Sequence, residues 1–248
     1  MTQDPAPFPW RPLGVAMALT LVLFVGAMAL DRLALGALRV PGARSQDWHR
    51  ALRSAGYLPV WLVIGAGLAL HDLGAPGTPG APGTPGAPGV PGAPGAPGAP
   101  GAQGAPGARR AGQWLRRGGF VALSATAGGV LAEALKVLLR RERPGEAPGY
   151  TFRAFADGPL NGSGLGLPSS HTLVAFAGAL AMARLFPRTA PLWLLWGAGC
   201  GLTRLLDGAH YLSDVVLAGA LAPIVVALLA RAIDARGTRG TRGAGGAR

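Results

Sequence analysis

Three short blocks of sequence hold the side chains best suited to handling an anion. The first is Lys136-Val-Leu-Leu-Arg-Arg-Glu-Arg143-Pro144. On a helix, Lys136 and Arg143 lie two turns apart on one face, and the proline favours ending that helix at Arg143. Two cations at the end of an apolar run make an anion site. The second block is Pro168-Ser169-Ser170-His171, which opens another apolar run. A helix N-terminus presents free amides and the positive end of the helix dipole, so it suits phosphate. Ser169 or Ser170 can serve as the N-cap, and His171 can donate a proton to a leaving oxygen. The third block is Thr203-Arg204-Leu-Leu-Asp-Gly-Ala-His210-Tyr-Leu-Ser-Asp214. His210 and Asp214 are four apart and share a face if the stretch is helical. A carboxylate on one imidazole nitrogen fixes the tautomer and leaves the other nitrogen free to attack. Arg204 adds a planar donor fork for phosphate oxygens.

Each block alone has a plainer explanation: a snorkelling helix end, simple capping, or a charge pair at a helix cap. Together they weigh more. Each lies at the end of an apolar run, and with six spans all three ends fall on one side of a membrane. One pocket there would hold three cations, two histidines, one carboxylate and helix-terminal amides. His49 and His71, the other two of the four histidines, fall in or beside loops and receive no role. Glu133, three residues before Lys136, is placed to pair with it, either as a structural ion pair or as a functional intramembrane carboxylate.

The elements that must position these blocks are apolar runs. Half of the 248 residues are hydrophobic, 14% are charged, and the mean hydropathy is +0.34. A soluble domain carries about a quarter charged residues, so the bilayer is the better solvent for this chain. A spanning helix needs about 20 largely apolar residues. Six runs qualify as candidates: 13–30, 57–70 (which contains Pro59 and may be extended back to 52), 119–139, 169–186, 190–206 and 212–230. The expected fold is therefore all-α, a six-helix transmembrane bundle. Residues 1–73 would carry the first two spans and 110–234 the other four with the chemistry, leaving 235–248 as a basic tail.

Between the second and third runs, residues 74–109 read as twelve Gly-X-Y triplets, ten of them with proline at Y. This is a collagen-like pattern. A polyproline-II-like or disordered surface loop is expected in preference to a trimerising triple helix, because no segment of it can build a core. The net charge is +12, and Lys136 is the only lysine. The arginines flank apolar runs, which indicates a membrane surface and argues against a nucleic-acid partner. The single cysteine, Cys200, excludes an intrachain disulfide and reads as a buried small residue. The N-terminus has no basic region ahead of its apolar run, so no cleavable signal peptide is expected. With both termini cytoplasmic, twelve basic residues face the cytoplasm against eight opposite, once Lys136, Arg143 and Arg204 are set aside. That bias places the pocket on the extracytoplasmic side of the cell membrane.

The three blocks together resemble the type 2 phosphatidic acid phosphatase superfamily, which also includes vanadium-dependent haloperoxidases and glucose-6-phosphatase-like enzymes. Its pattern is Lys-x6-Arg-Pro, then Pro-Ser-Gly-His, then Ser-Arg-x5-His-x3-Asp. The chain matches it in order from Lys136 to Asp214, with Ser170 in place of glycine and Thr203 in place of serine. The resemblance implies a phosphatase acting on a lipid phosphate or diphosphate, with His210 as nucleophile and Asp214 as its partner. It implies His171 as the acid and then the base. Lys136, Arg143, Arg204, Ser169 and Ser170 would bind phosphate, with no metal or other cofactor. Candidate substrates are phosphatidic acid, phosphatidylglycerol phosphate and a polyprenyl diphosphate; membrane lipids are the other expected partners. The rival readings are a vanadate-dependent haloperoxidase and a non-catalytic membrane scaffold that oligomerises through the collagen-like loop. The sequence leaves the oligomeric state open.

Overall fold

The computed structural model describes residues 10–74, 106–145 and 149–243. These residues form seven α-helices: α1 (Trp10–Leu38), α2 (Asp47–Arg53), α3 (Leu58–Gly74), α4 (Pro106–Leu139), α5 (Ser170–Leu185), α6 (Ala190–Leu206) and α7 (Leu212–Gly243). Among the described residues there is no strand, only two isolated bridges that pair Arg141 with Phe152 and Glu142 with Leu165. Each of the six apolar runs falls on one of the long helices, with 57–70 starting one residue before α3 and 169–186 overhanging α5 by one residue at each end. The helix α4 begins inside the stretch read as repeat, and α7 runs on into the basic tail. The rest of the Gly-X-Y segment, residues 75–105, lies outside the described residues.

Among the described residues three helices are long and apolar enough to cross a membrane: 11–38 in α1, 117–139 in α4 and 212–235 in α7. A fourth is added if α2 and α3, bent by 72° at their junction, count as one span. Of the six spans expected, three or four qualify, although six long helices are present among the described residues. The shortfall has local causes. Pro59 sits in the first turn of α3, where a missing N–H costs nothing, and the chain breaks just ahead of it at the extended Tyr57. Pro187 ends α5 after 16 residues, and Gly208, in the left-handed region at φ 61°, follows the end of α6 after 17.

The helix α5 is the hub, packed against α4, α6 and α7, while α3 packs on α4 and α1 on α7. Its composition explains the position. Ala175, Ala177, Ala179 and Ala181 are fully buried, and small residues let helices approach closely without needing long side chains to interdigitate. A Cβ at Gly178 would collide with the Trp61 indole, and Gly65 and Gly118 let α3 and α4 cross with backbones in contact. By contrast α1 exposes Val15, Leu19, Leu21, Val22 and Val25, a face fit for lipid. Long helices consecutive in the chain run in opposite directions, whereas α5 and α7 start at the same end and pack in parallel. The C-terminal ends of α1, α4 and α6 therefore meet the N-terminal ends of α3, α5 and α7 at one end of the molecule, where all three blocks fall.

Candidate active site

The chain leaves α4 sharply. Arg140 has φ 55° and is the only non-glycine described residue in the left-handed region. Its buried guanidinium donates to the carbonyls of Arg153, Ala154, Asp157, Gly158 and Pro159, which fixes the following loop. Residues Arg141 to Arg143 then run extended, with the Arg143 amide on the Gly164 carbonyl. The expectation that Arg143 shares a helical face with Lys136 is corrected here: the helix stops four residues earlier. Arg143 is exposed, and its charge is felt at His210.

Lys136 is buried, and its Nζ donates to Glu133 Oε1 and to Ser170 Oγ, both at 2.8 Å. The expected Glu133 pair is therefore present. Ser169 occupies the N-cap position of α5 with an extended backbone, but its side chain does not cap. Its amide donates to the Asp214 carbonyl, and its Oγ accepts from Thr172. Ser170 is the first helical residue, and its φ is not positive, so a side chain there is unstrained. Ser170→Gly is expected to change kcat/KM by less than about tenfold, since it removes one contact to Lys136 while leaving the amide in place. Steady-state kinetics on the purified variant check this, and a hundredfold gain would show that serine obstructs the pocket.

His171 lies behind Ser170, edge-on to Tyr57 with ring centroids 5.3 Å apart, and its buried Nε2 has no hydrogen-bond partner. Gly56 makes room for it: a Cβ at Gly56 would lie 2.7 Å from the His171 Cβ. The charges of Arg204, Arg53, His210 and Lys136 all reach it. The His210 Nδ1 is 3.3 Å from Asp214 Oδ2, and the same oxygen accepts the Tyr211 amide at 2.9 Å. Because Nδ1 faces a carboxylate, it carries the proton, and Nε2 keeps the lone pair. Burial holds the His210 pKa below the ordinary histidine value, with Asp214 pulling in the opposite direction. A lowered pKa keeps the imidazole neutral at and somewhat below pH 6.5. The acid limb of kcat/KM is therefore expected to fall below about pH 6.5, not above it. A pH profile between 4 and 8 measures it, and a limb near pH 7.5 would reject a neutral His210 as the group that titrates.

Arg204 is buried, and one terminal nitrogen donates to Asp207 at 3.1 Å, while its Nε has no partner. Asp207 also meets Arg44 at 3.1 Å and the buried His49 at 3.0 Å. His49, which the sequence left without a role, thus supports the carboxylate that holds Arg204.

Two further residues escaped the sequence reading. Arg141, almost fully buried, donates to Asp214 Oδ1 at 2.5 Å and to Ser213 Oγ at 2.7 Å. Its guanidinium carbon lies 4.8 and 5.2 Å from the ring centroids of Tyr150 and Tyr211, which themselves pack edge-to-face 5.1 Å apart. Asp31 of α1, equally buried, accepts from the Ser213 amide and hydroxyl and from the Tyr150 phenol. Burial and the Asp31 carboxylate push the Tyr150 pKa up to about 12, so the phenol stays the donor. A continuous network thus runs from α1 to the carboxylate beside His210. The only prior signal for Arg141 was an excess of arginines at the end of α4. For Asp31 it was one acid inside an apolar run.

Residues 117–238, about half of the chain, match the model of the PAP2 superfamily, and this region belongs to that superfamily. It contains all three blocks and every candidate site residue. Among similar proteins, a lipid A 1-phosphatase of Rhizobium johnstonii is 34% identical over 101 residues, which cover 40% of this chain and 41% of that protein. A lipid A 1-phosphatase of Rhizobium etli is 33% identical over 101 residues, covering 40% and 43%. The matched region is thus about two fifths of these curated relatives. No solved structure matches the chain.

Proposed function

We propose that the chain is a membrane phosphatase that removes phosphate from a lipid phosphate or diphosphate through a phosphohistidine, without a metal ion. The observation that carries this reading is a junction. An apolar groove of about 830 Å³ between α3, α4 and α5, lined by Leu58, Val130, Val137 and Val174, ends on Ser170 and His171. An amphiphile lying in that groove would present its head to the cations and the histidine pair. The superfamily membership and the lipid substrate named for both relatives support the same class.

In this mechanism His210 Nε2 attacks phosphorus in line. The bond from phosphorus to the leaving oxygen breaks, and His171, protonated in the substrate complex, supplies the proton to that oxygen. Asp214 stabilises the imidazolium that results. His171 then takes a proton from water, the hydroxide attacks phosphorus, the phosphorus–nitrogen bond breaks, and inorganic phosphate leaves. Arg143, Lys136, Arg204 and the α5 amides stabilise the charge on the equatorial oxygens, the larger part of catalysing phosphoryl transfer. The donors around the pocket are cationic, a set that repels a metal ion and replaces its charge.

The test is phosphate release by the purified protein from phosphatidic acid, phosphatidylglycerol phosphate, a polyprenyl diphosphate and lipid A, in EDTA. Turnover is expected on at least one, with inhibition by vanadate, which mimics five-coordinate phosphorus. Activity that is lost to the chelator and restored by magnesium or zinc would reject the metal-free mechanism. Within this reading the protein is a multi-pass protein of the cell membrane whose six long helices all cross, with residues 110–234 as the catalytic half and the pocket outside. A cysteine placed at Gly158 should then react with an impermeant thiol reagent in intact cells; protection there in folded protein would invert the orientation.

A further inference from the structure

The arginines at the catalytic end fall into two groups. Five of the ten meet a carboxylate: Arg44 and Arg204 share Asp207, Arg50 meets Asp47, Arg141 meets Asp214 and Arg153 meets Glu142. Arg140 is consumed by carbonyls. Among the described residues Arg53 and Arg143 have no carboxylate partner, and both send their charge toward the histidine pair. Two more, Arg32 in α1 and Arg39 just beyond its end, also make no ion pair or hydrogen bond among the described residues. They do not point into the histidine pocket. They line a separate cavity of about 880 Å³, whose walls include Met28, Leu35, Tyr150 and Tyr211.

That cavity lies across the His210 loop from the catalytic pocket. Tyr211, whose amide holds Asp214, forms one wall, and the stem of Arg39 rests on Gly208, about 3.1 Å from where a Cβ would stand. The phenols are already committed, Tyr150 to Asp31 and Tyr211 to the Gly149 carbonyl. The free donors in the cavity are therefore the two guanidinium groups, whose planar forks suit phosphate oxygens. Its apolar wall is made by Met28, Ala29 and Leu35 of α1, a helix that buries little of its surface, together with Pro41. A small soluble anion would use the cations and waste that wall, whereas an amphiphile with a phosphate head uses both.

We propose that Arg32 and Arg39 form a second phosphate-binding subsite, which holds a phosphate ester of an amphiphile while another phosphate is cleaved at His210. The favoured source is a second phosphate on the substrate itself, and in that form the proposal rests on the phosphatase reading. The alternative source of the same chemistry is a neighbouring anionic lipid.

The test uses the full chain in mixed micelles and the double variant Arg32→Gln/Arg39→Gln. Two substrates with matched acyl chains are compared, one carrying a single phosphate monoester and one carrying two. The double variant is expected to raise KM for the doubly phosphorylated substrate about tenfold, with kcat changed less than about twofold and the single-phosphate substrate unaffected. A second arm adds phosphatidylglycerol to the single-phosphate assay. A response in the wild type that the double variant lacks assigns the subsite to a neighbouring lipid. A third arm measures binding of a fluorescent doubly phosphorylated lipid to His210→Ala with and without the two arginine changes. It needs no turnover, so it separates failure of the subsite from failure of the phosphatase reading. Equal KM shifts for both substrates, or no arginine dependence in any arm, would overturn the proposal.

Discussion

His210→Ala is expected to lower kcat/KM by about 10⁴-fold or more, the scale of losing a covalent nucleophile. The argument is geometric. The His210 Nδ1 side is occupied by Asp214, and the Nε2 side carries no hydrogen bond, so the ring has one reactive face. His49 also pairs with a buried carboxylate, Asp207, but its side chain is fully buried and it lies outside the three blocks. Brief reaction with a phosphorus-labelled lipid, quenched in alkali where phosphohistidine survives, should label the wild type and not the variant. His171→Ala should behave differently. It keeps the nucleophile but loses the acid, so it should slow cleavage most for substrates with poor leaving groups and less for an activated aryl phosphate. Near-normal turnover by His210→Ala, in protein that elutes as the wild type does, would sink the mechanism.

Arg141→Met is the second large effect. Arg141 donates to both Asp214 and Ser213 from a site almost closed to solvent, and its guanidinium packs against two tyrosine rings. Methionine fills much of the stem volume but leaves the Asp214 carboxylate with one charged partner fewer. Breaking a buried pair in this way costs about 3–5 kcal/mol, because the remaining charge stays out of water. The unfolding midpoint in detergent should therefore fall clearly. The catalytic consequence follows from the same contact. Without Arg141 the carboxylate is free to turn, and a misplacement on the order of 1 Å near the reacting group costs about a hundredfold in rate. The expected signature is a fall in kcat with KM little changed, since Arg141 touches the catalytic carboxylate and lies behind it. Arg141→Lys, which keeps the charge but not the planar stack, should recover part of both losses. If the midpoint falls while kcat stays within about twofold, Arg141 is a structural residue only. Asp31→Asn tests the far end of the same network and should shift kcat in the same direction by less, because Ser213 and Tyr150 retain other contacts.

The sequence by itself determined the all-helical class, the place of each long helix to within a few residues in most cases, and the gathering of the three blocks at one end. It could do so because apolar runs of this length have few soluble alternatives and because antiparallel neighbours bring alternate helix ends together. His210 and Asp214 were legible as a pair, being four residues apart in one short segment. Lys136 and Ser170 were both legible as site residues, but their 2.8 Å contact was not, since it joins two helices. Tertiary structure alone decided the rest. The left-handed turn at Arg140 takes Arg143 off the helix, a backbone choice made because five carbonyls of a later loop converge on the Arg140 guanidinium. Arg141, just beyond α4, reaches Asp214, Asp31 of α1 reaches Ser213, and His49 of α2 reaches Asp207, up to 182 residues away in the Asp31–Ser213 contact. A buried charge accepts whichever opposite charge the packing delivers, and no local spacing records that delivery. For the same reason Arg32, Arg39, Arg44 and Arg141 look alike in the sequence. Only the fold separates those that meet a carboxylate from the two left facing an open cavity.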